Sequence, residues 1–349
     1  MKPPAKSAHT LQDIARETGF SISTISRALA GNTAISEDTR EVVLAVAARC
    51  GYEVPQRRAR RLPMQVCDQI NVVLPVSLAH GRQLANPFEL ALIGGIGAAL
   101  RERRRDFSIN WQTPYDEQSL ADFLGASPYA GTIFLGQSQF HDTLNRFGAA
   151  GKPLIVWGAG IEGQTYCSVG SDNFQGGYRA TQHLARLGRR RIAFVGAMPA
   201  IASARTGFSQ IALRLEGYKA ALQASGIPFD ADIVQTPPSQ RFDGADAIDN
   251  LLECQISFDG IVAASDMVAL SAIQALVRRG ARVPEDVSVI GYDDLDVASY
   301  ASPRLTTVRQ DVIKAGNLLV SKLLRMIDGH RVSAELLPTE IIIRESCGA

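Results

Sequence analysis

The sequence predicts two parts of different class: a small all-α module at the N-terminus and a much longer α/β body. Three observations lead there. Apolar residues recur with the helical period, between capping residues and a glycine stop, from Thr10 to Leu29. A basic, proline-bounded stretch follows around Arg57. From about residue 68 onward, short continuous apolar runs alternate with helical segments, the pattern of parallel strands and crossover helices. A chain of 349 residues has room for both parts.

Leu11, Ile14, Ala15 and Thr18 stand at i, i+3, i+4 and i+7, giving the first helix one apolar face. Thr10 can cap it, with Asp13 completing a capping-box-like pair. Gly19 ends it, since glycine takes the left-handed conformation without steric cost. Ser21 then caps a second helix over about Ile22–Leu29, with Gly31 beyond its end. On this helix Ile25, Ala28 and Leu29 face the first helix, while Ile22, Ser23, Ser26 and Arg27 share the opposite face. Small residues near the helix start allow close approach to base edges, and Arg27 can grip guanine O6 and N7. A plain solvated helical hairpin would show the same spacing.

The following segments separate these two readings. Ser36 caps a third helix whose Val42, Val43, Val46 and Ala47 complete a core, ending at Cys50-Gly51. Pro55 to Leu62 then carries four arginines in five positions and no carboxylate, with Pro63 behind it. Proline suits the first turn of a helix and the residue before a proline tends to end one. A short basic helix with one large leucine fits a minor groove: Arg57 and Arg60 meet phosphates while Leu62 wedges into a base step. A solvated linker is the alternative.

Charge is distributed accordingly. Residues 1–62 hold ten Lys/Arg against six Asp/Glu, whereas the whole chain is only +1, so the body is mildly acidic. A basic terminal module suits phosphate contact and predicts salt-dependent binding. The five cysteines (50, 67, 167, 254 and 347) are scattered, with no CxxC and no paired histidines, and read as buried free thiols in a reducing compartment. No zinc site, other metal site or cofactor motif is expected. The longest apolar run, Ala91–Leu100, is half a membrane span, and no apolar leader opens the chain, so a cytoplasmic protein without membrane contact is expected.

In the body, the clearest strands are Ile70–Pro75, Thr132–Leu135, Leu154–Trp157, Ile192–Val195, Gly260–Ala263 and Val287–Ile290. Helices are expected at Ala91–Arg103, Gly176–Leu187, Leu215–Ala224 and Met267–Arg278. This succession argues for doubly wound layers, whose ligands bind beyond the carboxyl ends of strands.

Particular motifs go further. Thr10-Leu11-x-Asp13-Ile14-Ala15, Gly19-x-Ser21-x-x-Thr24-Ile25-Ser26-Arg27-x-Leu29, Ser36-x-x-Thr39-Arg40, Gly51-Tyr52 and Ala59-Arg60-x-Leu62 resemble the headpiece of the lactose-repressor (LacI/GalR) family of bacterial transcription regulators. The resemblance implies a helix-turn-helix DNA-binding domain at 1–54, a hinge helix and linker at 55–67, and an effector-binding and dimerisation core at 68–349. It implies that Ile22, Ser23 and Arg27 read bases, that Ser21, Thr24, Ser26, Ser36, Thr39 and Tyr52 hold phosphates, and that Leu62 is the minor-groove lever. Two departures touch the hinge: Glu53-Val54 adds a residue before Pro55, and Gln56 replaces the usual asparagine.

The body shares the likeness in Ser171-Asp172-Asn173, Arg214-Leu-Glu-Gly217-Tyr218, Ser265-Asp266, Gly291-Tyr292-Asp293-Asp294 and Leu305-Thr-Thr-Val-x-Gln310-Asp311. That core resembles the type I periplasmic sugar-binding proteins, with two doubly wound subdomains, three crossing segments and an effector in the cleft. The subdomains are expected over 68–170 with 297–327, and 171–296 with 328–345. By resemblance Arg214 and Asp293 hydrogen-bond the effector, with Phe88, Phe242 and Ser265 lining the cleft. Glu89 joins them where relatives often carry an apolar or aromatic residue, and Trp157-Gly158 falls where an acidic contact is common. A mono- or disaccharide is the expected effector, with a nucleoside, a phosphorylated metabolite or a partner protein as alternatives. The expected protein is thus a homodimeric repressor of a pseudo-palindromic operator, lacking the family's C-terminal tetramer helix. No catalytic residues are expected, because neighbouring Asp293 and Asp294 point in different directions and form a poor acid/base pair. A solute-binding protein would fit the body alone, against the basic module.

Overall fold

The computed structural model describes residues 10–29, 35–49, 67–74, 86–110, 117–126, 128–136, 140–196, 210–235 and 244–349. The chain divides into two compact units, Met1–Gln65 and Val66–Ala349. The expected basic hinge helix, with Arg57, Arg60 and Leu62, lies outside the described residues, as do Tyr52 and Phe242.

The first unit holds α1 (Leu11–Thr18), α2 (Ile22–Leu29) and α3 (Glu37–Arg49). The start of α1 is set by Asp13, whose carboxylate accepts from both the backbone N–H and the hydroxyl of Thr10 at 2.8 Å. Gly19, at φ 73°, ends it. Ser21 Oγ accepts from the Thr24 N–H at 3.2 Å and starts α2, and Ser36 does the same for Thr39 at 3.4 Å before α3. Ile14, Ile25, Ala28, Val43, Val46 and Ala47 close a small core. Val42, expected among them, is instead exposed. It stands one position before Val43, which turns it about 100° away from the buried stripe.

The second unit contains two six-stranded sheets. The first is made of β1 (Cys67–Val73), β2 (Phe107–Asn110), β3 (Tyr129–Leu135), β4 (Leu154–Trp157), β5 (Cys167–Ser171) and β11 (Glu335–Leu337). Its order is β11-β5-β4-β3-β1-β2, with every neighbouring pair parallel. The second is made of β6 (Ile192–Val195), β7 (Val234–Gln235), β8 (Gly260–Ala263), β9 (Ser288–Asp293), β10 (Thr306–Arg309) and β12 (Glu340–Ile342). Its order is β12-β10-β9-β8-β6-β7, parallel except where β12 runs against β10.

Helix α4 (Pro87–Glu102) covers the first sheet together with α12 (Val312–Ile327), and Leu92, Ile96, Leu100, Leu319 and Leu323 are buried among its strands. The opposite face carries α5 (Glu117–Gly125) and α6 (His141–Ala149). On the second sheet, α7 (Asn173–Arg186) and α8 (Gln210–Ala224) cross with their backbones in contact, Gly177 lying against Arg214 and Gly217 against Phe174. Helices α9 (Gly244–Glu253) and α10 (Asp266–Arg278) cover its other face, and the short α11 (Asp296–Tyr300) follows β9.

Three crossings join the subdomains: β5 to α7 through Asp172, β10 to α12 through Gln310-Asp311, and β11 to β12 through Pro338-Thr339. This moves the expected boundaries. Residues 297–309 belong to the second subdomain because β10 pairs with β9, and 328–337 belong to the first because β11 pairs with β5. Strand pairing decides membership, and pairing is a long-range property. Among cysteines with described side chains, Cys167 and Cys347 are buried, whereas Cys254, expected to be buried too, is exposed just after α9. Among the described residues no His/Cys/Asp/Glu group could hold a metal, and no helix is long and apolar enough to cross a membrane.

Candidate functional site

In the first unit, α2 presents Ile22, Ser23, Ser26 and Arg27 as one exposed row, while Ile25 and Ala28 on the other side are buried. Thr24 is half-buried, and its hydroxyl lies 2.9 Å from that of Ser21. Ser36 and Thr39 share a hydroxyl contact of 2.8 Å at the start of α3. Two helix N-termini therefore each carry a pair of hydroxyls beside free backbone N–H groups, a donor set suited to phosphate oxygens. Arg16 pairs with Asp13 and Arg49 with Glu17, and Arg27 has no carboxylate partner among the described residues.

In the second unit, all three crossings leave from carboxyl ends of strands, and the candidate ligand-binding groups lie beside them. Arg214, on α8, is buried and stacks on Tyr292 with its guanidinium carbon 3.6 Å from the ring centroid. Its Nε donates to Asn173 Oδ1 at 2.8 Å and one Nη to the carbonyl of Ala264. The same Nη stands 3.9 Å from Asp293 Oδ1. Asp293 ends β9 in the left-handed region at φ 115°, and its Oδ1 accepts from Gln310 Nε2 at 2.7 Å. Arg214 is thereby tied to the first crossing through Asn173, and Asp293 to the second through Gln310.

Burial raises the Asp293 carboxyl to about 6, with Arg214 and Gln310 pulling the other way. Asp294 has different partners. Its carboxylate takes Arg309 at 2.7 Å and Arg344 at 2.6 Å, as expected of adjacent residues pointing apart.

Of the other expected ligand contacts, Ser265 follows β8 next to Ala264 and caps α10, its Oγ accepting from Val268 at 3.3 Å. Phe88 and Glu89 lie on the first subdomain at the start of α4. Phe88 packs on Trp157 at 5.9 Å between ring centroids. Glu89 acts locally. Its carboxylate accepts from the Asn86 N–H at 2.9 Å while Asn86 accepts from the Glu89 N–H at 2.9 Å, a capping box behind Pro87. That box starts α4 a turn before the expected Ala91, and the spacing Asn86-Pro-x-Glu89 carried the signal. Burial raises the Glu89 carboxyl, the Asn86 N–H partly offsetting it.

Asn173, Gln310 and Tyr292 were missed as site residues. The first two are amides at strand-to-helix crossings beside the helix-capping residues Asp172 and Asp311, which is the local pattern that could have marked them.

Residues 10–55 match the model for bacterial regulatory proteins of the lacI family, and residues 181–347 match the periplasmic binding protein-like domain. The HTH-type transcriptional regulator CelR of Thermobifida fusca is 32% identical over 343 residues, covering 97% of this chain and 98% of that protein. The chain belongs to the lacI family of bacterial regulatory proteins. Among solved structures, this lacI-family chain is similar to a CelR–cellobiose complex, with 31% identity, a TM-score of 0.66 and 97% and 99% of the two chains covered. It also shares the fold of a lac repressor dimer bound to operator and an anti-inducer, with 24% identity, a TM-score of 0.67 and coverage of 98% and 100%. The exposed row of α2 thus belongs to the helix-turn-helix of a lacI-family regulator, and the Arg214–Asp293 pair to its periplasmic-binding-protein-like core.

Proposed function

We propose that this lacI-family regulator is an operator-binding repressor whose DNA affinity is set by a sugar held between Arg214 and Asp293. One observation carries the effector part. Among the described residues, Asp293 Oδ2 accepts no hydrogen bond although the side chain is buried and its Oδ1 is engaged, and the buried Arg214 guanidinium stands 3.9 Å from that carboxylate. An acceptor and a donor side by side suit neighbouring hydroxyls, and charged hydrogen bonds of this kind orient a ligand strongly. The half-buried Phe88, against Trp157, offers an apolar ring to a sugar face from the other subdomain. Cellobiose bound to a CelR, a relative of similar length, supports a saccharide over a nucleoside.

DNA reading falls to Ile22, Ser23 and Arg27, with Ser21, Thr24, Ser26, Ser36 and Thr39 on phosphates; Tyr52, Arg57, Arg60 and Leu62 would extend the contact. Two copies would meet two halves of a pseudo-palindromic operator. A sugar on Arg214 and Asp293 also loads Asn173 and Gln310, and so the crossings between subdomains, giving the two core conformations different ligand affinity. Binding, not catalysis, is the function proposed, in the cytoplasm where the operator is.

The test is a melting-temperature screen of mono- and disaccharides, nucleosides and sugar phosphates, with operator release measured in parallel. A sugar should raise the melting temperature and change operator affinity in the parent, and do neither in Asp293→Ala. Stabilisation by nucleosides alone would overturn the sugar assignment.

A further inference from the structure

We propose that Asp266 is a positioning residue for the Arg214–Asp293 site: it tethers the Asp293-Asp294-Leu295 turn to β10, so that the Asp293 carboxylate is held facing its ligand. The proposal rests on the ligand-binding reading of that site.

Asp266 is the first residue of α10 and has no exposed surface. One carboxylate oxygen accepts from the Leu295 N–H at 2.7 Å, and the other from the hydroxyl of Thr307 on β10. The Thr307 oxygen in turn accepts from the Asp294 N–H at 3.4 Å. A single buried carboxyl therefore secures the far end of the turn, and the threonine it holds secures the middle. The space for it is specific. A Cβ on Gly291 would stand 2.3 Å from Asp266 Oδ1, so β9 runs past the carboxyl with glycine at that point.

The turn has reason to be tethered. Asp293 and Asp294 are successive non-glycine residues in the left-handed region, at φ 115° and 58°. Such backbone persists where its surroundings over-determine it. Helix capping does not account for Asp266, because Ser265 already caps α10. Charge pairing does not either, since Asp266 has no Lys or Arg partner among the described residues and the charges of Asp293 and Asp294 act on it unfavourably. A carboxyl buried without a cation is costly, which sets it apart from an ordinary core residue. Past Thr307, Arg309 holds the Asp294 carboxylate and Gln310 the Asp293 carboxylate, so β10 and its crossing grip the turn at both aspartates.

Three variants of the full chain test this, read by amide hydrogen exchange at the turn and by calorimetric titration with cellobiose. In Asp266→Ala the Asp294 and Leu295 amides should exchange at least tenfold faster, and cellobiose affinity should fall at least tenfold. Operator affinity without sugar should stay within twofold. Thr307→Val should move both readouts the same way by less. Asp266→Asn should restore both, because its amide oxygen can still accept from Leu295 while its NH2 donates to Thr307. Unchanged exchange at Leu295 in Asp266→Ala, or in Thr307→Val if the alanine variant does not fold, would overturn the proposal. So would Asp266→Asn binding sugar as poorly as Asp266→Ala. If the parent binds neither cellobiose nor any of a panel of simple sugars, the ligand reading fails on its own. The exchange measurement then decides the tether alone: faster exchange upholds it, and no change removes it.

Discussion

Replacing Arg214 by Met tests the core of the site most directly, because the arginine joins four groups at once. The thioether keeps much of the side-chain volume over Tyr292 but removes the hydrogen bonds to Asn173 and Ala264 and the charge 3.9 Å from Asp293. Removing one member of a buried ion pair costs about 3–5 kcal/mol, because the partner is left uncompensated. For a unit of this size that is a fall in melting temperature on the order of 10 °C. The loss should depend on pH. Asp293 already titrates at about 6, with Arg214 pulling it down, so without Arg214 it moves higher and takes up a proton near neutrality. A carboxyl raised in the folded state favours folding most below its unfolded value, and that contribution disappears as pH rises through the folded value. The deficit of Arg214→Met should therefore be small near pH 5 and grow between pH 6 and 8. The assay is a melting curve of parent and variant across that range. A deficit of constant size over pH 5–8 would refute electrostatic coupling of the pair and leave only lost packing.

Other outcomes follow from the same geometry. In the parent, Asp266 titrates at about 8 and Asp293 at about 6, both raised by burial, so the melting temperature should decline from pH 5 to 8; Asp266→Asn should flatten the upper part of that decline. Gly177→Ala would place a Cβ 2.1 Å from the carbonyl oxygen of Arg214, forcing α7 and α8 apart at a cost of about 1–3 kcal/mol. Calorimetry should find sugar affinity reduced in that variant along with the melting temperature. Arg27→Ala should weaken operator binding by about 1–3 kcal/mol at matched salt, leaving the melting temperature of the core unchanged. An unaltered affinity in a gel-shift titration would remove Arg27 from the reading face.

Local chemistry made the first unit legible. Caps at Thr10, Ser21 and Ser36 and the glycine stop at Gly19 act within one turn of where they stand, so helix limits and the exposed row of α2 follow from spacing. Val42 is exposed although expected inside, because an unbroken apolar run over residues 42–48 does not say which of its members face inward. In the body, the strands read most clearly were the buried central ones, β1, β3, β4, β6, β8 and β9. Peripheral β7, β11 and β12 are two or three residues long and carry no periodicity to read.

Sequence by itself determined the class of each part and the exposed row of α2, since these rest on periodicity, capping and charge, while Arg214 and Asp293 became candidates through resemblance to the family's motifs. Only the tertiary structure decided which strands share a sheet, where the chain crosses between subdomains, and that Asn173 and Gln310 tie Arg214 and Asp293 to those crossings. It also showed Glu89 closing a helix cap and Asp266 buried beneath the Asp293 turn. The reason is physical: hydrogen bonds such as Asp266 to Thr307 or Arg214 to Asn173 join residues about forty positions apart, and no local pattern records which distant partner will satisfy a buried polar group.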